Sequence, residues 1–346
     1  MNVAARLAQL LTGRRPAADA EPDRASVAGA IERIAALSPH LRMARRYEDR
    51  LEPAVRVALR YVAGIVAAIP PAREASAAAW PLDPYIRAFF AGAGSVAPVL
   101  SRSRDLRAFF EQNPDQQEAW AVLGMAMQEK RVLGAALEGE TMRRDVVRET
   151  LGFSDHQVRM CGRSEQELRD EIVRRLVGQL GLQGMARYAA QQAQRGLLES
   201  ERALLRTRLQ LLARKGVGVG AMVGGEEEVV DPATLARLQA SIAENEEAIQ
   251  RLGLRSDALD RELAEVCAVL ADPGAHLFVQ TRRCVLDRMN VVLPPGSEDA
   301  GDALVFQVAQ LPTVPPQARA FALVRFARAG LLSPGGLLDD AARMLG

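Results

Sequence analysis

Lysine is almost missing from this chain. Only Lys130 and Lys215 interrupt an otherwise all-arginine set of cations. With alanine so frequent, this follows the codon usage of a GC-rich genome, and abundant arginine is no pointer to phosphate. Net charge is scarce too: 44 Lys and Arg against 43 Asp and Glu leave a formal charge of +1. The chain as a whole therefore exerts no electrostatic pull on nucleic acid or anionic lipid. No arginine stripe is interleaved with aromatics, so nucleic acid is not an expected partner. Cysteine is limited to Cys161, Cys267 and Cys284. An odd count without paired spacing argues against a disulfide framework and for a reducing compartment. Cys267 follows Val266 in a helical pattern and reads as a small buried hydrophobe.

Long apolar runs are lacking as well. The longest, Tyr61 to Ile69, is far below the ~20 residues that span a bilayer. The N-terminus does not read as a signal peptide, because Arg6 interrupts its apolar stretch and Arg14-Arg15 follow it. The expectation is a cytoplasmic protein.

Chemistry-bearing motifs are the next absence. Asp155-His156 with Cys161 offers too few ligands for zinc, which takes three or four clustered ones. His40 reads as a cap or loop residue, and His276 has no nameable partner. Di-iron bundles need Glu-x-x-His on inward faces, and none occurs. Gly216-x-Gly218-x-Gly220 with Gly224 has the wrong spacing for a nucleotide loop, no preceding strand and no following Lys-Ser/Thr pair. Arg42, Arg45 and Arg46 are followed by Glu48, Asp49 and Glu52, as on a solvated helix face. No catalytic residue, cofactor or metal is expected. An enzyme with a pocket near His156 or Arg282-Arg283 stays open as an alternative.

What the chain does have is helical periodicity. Across residues 231–270, apolar positions fall at Leu235, Leu238, Ile242, Ile249, Leu252, Leu259, Leu263, Val266 and Leu270, with Asn245 and Ser256 in the two polar slots. Gaps of three and four are the spacing of a coiled-coil seam. A partner run over 190–215 carries Leu197, Leu198, Leu204, Leu205, Leu209, Leu211 and Leu212, read as one broad stripe facing the return arm. The pair predicts a long antiparallel hairpin. Gly178, Gly181 and Gly184 predict a break or bend at its base.

The other segments read as follows. Residues 1–23 form a short basic amphipathic segment and a linker, which allows a membrane-surface alternative. Residues 24–162 read as a helical bundle. Asp23 or Ser26, Asp83-Pro84, Ser103 and Asn113-Pro114 start its helices, the last running to about Leu151. Pro53 predicts a kink. The coiled coil occupies 163–273 and opens on a capping box, Ser164 to Glu167. Residues 274–346 read as a small α+β subdomain: a short antiparallel meander, then helices over 316–329 and 336–344. The fold class expected is mainly α, namely an N-terminal helical bundle, a coiled-coil hairpin and a small terminal sheet. With 346 residues, two or three domains are expected.

The hairpin tip is the expected site. Val217, Val219, Met222 and Val223 are interleaved with glycines, and Glu226, Glu227 and Glu228 follow. Apolar side chains on a long loop point to binding. The function expected is a non-enzymatic scaffold or adaptor, capturing a protein partner through the tip or self-associating through the arms.

Overall fold

The structure, a computed structural model, describes residues 21–138, 141–214, 232–252, 257–294, 301–311 and 317–333. Among them the helices are α1 (Arg24–Leu37), α2 (Tyr47–Ala67), α3 (Pro84–Phe89), α4 (Ala93–Ser101), α5 (Arg104–Gln112), α6 (Glu165–Arg214), α7 (Pro232–Arg251) and α8 (Ala258–Ala271). The strands are β1 (Arg73–Glu74), β2 (Glu118–Glu138), β3 (Thr141–Gly162), β4 (Val279–Leu286), β5 (Val292–Leu293), β6 (Asp302–Leu311) and β7 (Gln317–Ala327). The chain divides into two compact units. One holds Leu59–Leu176 and the chain from Leu277 onward; the other holds Pro22–Ala58 and Val177–His276.

The first unit is built on a sheet in the order β3-β2-β7-β6-β4-β5, with antiparallel neighbours. Strand β1 joins β7 in parallel at Val324 and Arg325. Opposite β2, strand β3 slips register between Ala121 and Val122, between Gly124 and Ala126, and between Gly134 and Ala136. Two residues at these slips, Met160 (φ 53) and Asp155 (φ 46), adopt left-handed backbone. Bulges bend a strand and tighten its twist, and the sheet curls until its ends touch. Thr150 of β3 bridges to Val291, and the Leu151 amide donates to the Asn290 carbonyl at 2.9 Å.

Helices α3 to α5 fill one face. Their Ile86, Phe89, Phe90, Val96, Leu100, Leu106 and Phe110 pack with Ala119, Ala121, Leu123 and Met125 of β2, with Phe306 of β6 and with Ala320, Val324 and Phe326 of β7. The Phe89 ring meets Phe153 edge-on at 5.0 Å and Phe306 at 6.3 Å. Short α3 is pinned at both ends. Asp83 caps its start by accepting from the Tyr85 amide at 2.8 Å, and Asn290 donates to the Ala88 carbonyl at 2.9 Å. On the opposite face the paired residues Val122 and Leu323 are buried too. There the buried Gln307 donates to the Ala68 carbonyl at 3.2 Å.

This architecture corrects the mainly-α expectation. Residues 24–162 are not an all-helical bundle, because the helix expected from Asn113-Pro114 to about Leu151 is instead the β2–β3 hairpin. The terminal sheet is not small: the helix expected over 316–329 is β7, which joins β6 to β2. The helix expected over 336–344 lies outside the described residues. Residue Arg46 takes φ 55 just before α2, and Pro53 sits within that continuous helix.

The second unit is helical. Its buried side chains include Val27, Ile31 and Ile34 of α1, Leu51 and Val55 of α2, Val177 and Leu180 of α6, and Leu263, Val266, Val269 and Leu270 of α8. Asp23 caps α1, accepting from the Ser26 amide at 3.0 Å. Ser38 donates to Glu262 at 2.8 Å, and Arg50 pairs with Asp260.

Candidate functional site

Helix α6 starts as its sequence dictates. The Ser164 hydroxyl accepts from the Glu167 amide at 3.1 Å, and the Glu167 carboxylate accepts from the Arg163 amide at 2.8 Å. From there the helix runs 50 residues without interruption, roughly 75 Å at 1.5 Å per residue. The helix is not broken at the glycines. A Cβ on Gly181 would lie 3.2 Å from Ile34 of α1, and one on Gly184 would lie 2.5 Å from the Val266 Cα of α8. Both glycines mark close helix contacts.

Along residues 186–212, α6 carries two seams with gaps of three and four. Tyr188, Gln191, Arg195, Leu198, Arg202, Leu205, Leu209 and Leu212 form the inner one, and each is buried or half-buried. This side meets the return arm. Gln191 donates to Glu265 at 2.9 Å, Arg187 approaches Glu265 at 3.4 Å, and Arg206 pairs with Glu246. Low residue numbers on α6 meet high ones on the return arm, so the two arms are antiparallel. Return-arm residues Leu238, Ile249, Leu263 and Val266 are buried, while the Asn245 amide nitrogen is buried with no hydrogen-bond partner among the described residues.

The outer seam comprises Ala186, Ala190, Ala193, Leu197, Ser200, Leu204, Thr207 and Leu211, and all eight are exposed. Its leucines are 72% (Leu197), 73% (Leu204) and 62% (Leu211) accessible. The single leucine stripe expected from the sequence is thus split. Leu198, Leu205, Leu209 and Leu212 turn inward, whereas Leu197, Leu204 and Leu211 face solvent. An exposed seam of more than three heptads, with a leucine at every seventh position from Leu197 to Leu211, has the form of a helix-docking surface.

The other candidate residues fall elsewhere. Val217, Val219, Met222, Val223, Glu226, Glu227 and Glu228 of the tip lie outside the described residues, as do Ser256 and the N-terminal segment through Arg15. The His156 ring stacks on Phe90 at 5.0 Å, with Nε2 2.6 Å from the Phe89 carbonyl. Burial holds its pKa below the usual histidine value, so at neutral pH the ring is uncharged and donates to that carbonyl. It tethers α3 to β3. Arg319 clamps the neighbouring bulge, donating to the Asp155 carboxylate and carbonyl at 2.6 Å each, and its hydrogen bond lowers the Asp155 pKa. Burial raises the Cys161 thiol to about 12, far from a nucleophile's range. Arg282 pairs with Glu129, and its neighbour Arg283 points to the other face of β4.

Among the described residues, no group of three or more His, Cys, Asp or Glu is placed to hold a metal ion. Nor is any helix among them long and apolar enough to cross a membrane. Comparison of the chain with family models, with curated proteins and with solved structures gave no match.

Proposed function

We propose that the protein is a non-enzymatic interaction scaffold whose contact surface is the outer face of α6. The reading rests on one observation: eight consecutive seam positions, three of them leucines more than half accessible, stand unpartnered along a continuous helix. Scattered exposed leucines need no explanation, but a sustained heptad register does. The antiparallel arm holds that face rigid, because the opposite side of the same helix is fastened to α7 and α8. A rigid helix loses little conformational entropy when a partner helix docks.

The test is affinity purification of the tagged chain from its native host, with the untagged chain also present, alongside a Leu204→Glu variant. Leu204 is exposed, so the variant retains its helical circular dichroism. The wild type recovers a stoichiometric bound chain that the variant loses. Recovery of the same chains by both proteins would sink the reading.

A further inference from the structure

We infer that the outer seam of α6 takes a second copy of itself, packed antiparallel. The inference rests on the scaffold reading above and names its partner. The sizes of the seam residues carry it. Small side chains occupy the first part, Ala186, Ala190 and Ala193, and leucines recur in the second part at Leu197, Leu204 and Leu211, with Ser200 and Thr207 between them. Parallel pairing would set leucine on leucine and alanine on alanine, wide at one end and hollow at the other. Antiparallel pairing about a two-fold axis between Leu198 and Glu199 removes the mismatch. Leu211 then meets Ala186 of the other copy, Leu204 meets Ala193, Leu197 meets Ser200 and Thr207 meets Ala190. Every layer joins a larger residue to a smaller one, so the two helices keep an even separation, as knobs-into-holes packing requires.

The flanks allow that approach. Beside the axis, Gly196 comes opposite Ala203 on one side and Gln194 opposite Glu201 on the other. At the ends Arg187 nears Arg208, but Arg187 already lies 3.4 Å from Glu265. The contact is of the size of a weak, transient one. A strip about 38 Å long and one helix diameter wide on each copy gives an interface of roughly 800–900 Å² in total. A modest interface of this kind makes a concentration-dependent dimer.

Sedimentation velocity of the full chain across a concentration series tests this. The wild type shifts from the 37.5 kDa monomer to twice that mass as concentration rises, and Leu204→Glu stays monomeric throughout. Orientation is read from cysteine cross-linking. Ala186→Cys alone and Leu211→Cys alone form no intermolecular disulfide, but a mixture of the two chains does. A wild type that remains monomeric at its highest soluble concentration overturns the inference. So does a dimer untouched by Leu204→Glu, or a self-cross-link of either single variant. If the chain is monomeric but Leu204→Glu still strips a different bound protein in the native purification, this inference fails while the scaffold reading stands.

Discussion

Leu198 and Leu205 are half-buried, while Leu197 and Leu204, one residue earlier on the same helix, lie in water. One residue is about 100° of helix rotation. The two seams share spacing and length, eight positions each, yet they differ in what accompanies their leucines. The inner seam adds Tyr188, Gln191, Arg195 and Arg202, long side chains suited to a return arm that supplies Glu246 and Glu265. The outer seam adds only Ala, Ser and Thr, which leave hollows and make no hydrogen bonds across. A seam filled by its own chain is matched to one particular neighbour; a seam of leucines and hollows has the sizes that the proposed self-pairing needs.

Substitutions on the two faces should therefore diverge, and the largest effect belongs to the inner side. Leu263→Ala removes a fully buried side chain and should lower the unfolding free energy by about 2–5 kcal/mol, read from urea denaturation by circular dichroism. Gly184→Ala forces a methyl against backbone of α8 and should destabilise by roughly 1–3 kcal/mol; an unchanged midpoint would mean the helices can separate freely there. Asn245→Leu works in the opposite direction. It replaces a buried amide that lacks a partner among the described residues with an apolar side chain, and should gain about 1 kcal/mol in the same assay. The smallest effect belongs to the outer face. At concentrations where the monomer prevails, Leu204→Ala should shift stability by less than about 0.5 kcal/mol, and a loss comparable to that of Leu263→Ala would erase the distinction between the seams.

The helical half of the fold was legible in the sequence because its signals are local. Asp23, Asp83 and Ser103 cap the helices that they precede. The heptad spacing of the return arm puts Leu238, Ile249, Leu263 and Val266 inward. What the spacing could not say is which α6 leucines face the return arm, since two interleaved seams on one helix look like a single wide stripe. The sheet was hidden for other reasons. On β2 the inward Ala119, Ala121, Leu123 and Met125 alternate with Trp120, Val122 and Ala126, so no polar face marks a period of two. These alanines, leucines and methionines also favour helix. On β3 the bulges reset the alternation: inward Leu151, Phe153, His156, Val158 and Cys161 are spaced by two and three. On β7, Leu323 is buried opposite Ala322 and Val324, erasing the contrast again. The role of His156 was not legible because its partner, the Phe89 carbonyl, lies 67 positions away.

The β2–β3 pair ends differently from how it begins. Pairing of β2 with β7 stops at Ala126, yet β2 and β3 stay zipped to Glu138 and Thr141. Past Lys130 and Thr150 the ribbon has no third strand among the described residues, and a lone two-stranded ribbon is marginal in water. Its cohesion must come from the sheet end, so thermal fraying travels toward the sheet. The front halts near Lys130 and Thr150, where the Thr150–Val291 bridge and the Leu151–Asn290 hydrogen bond tie β3 to the other edge of the sheet. The same strand is therefore a fixed wall at its root and a breathing fringe at its outer end.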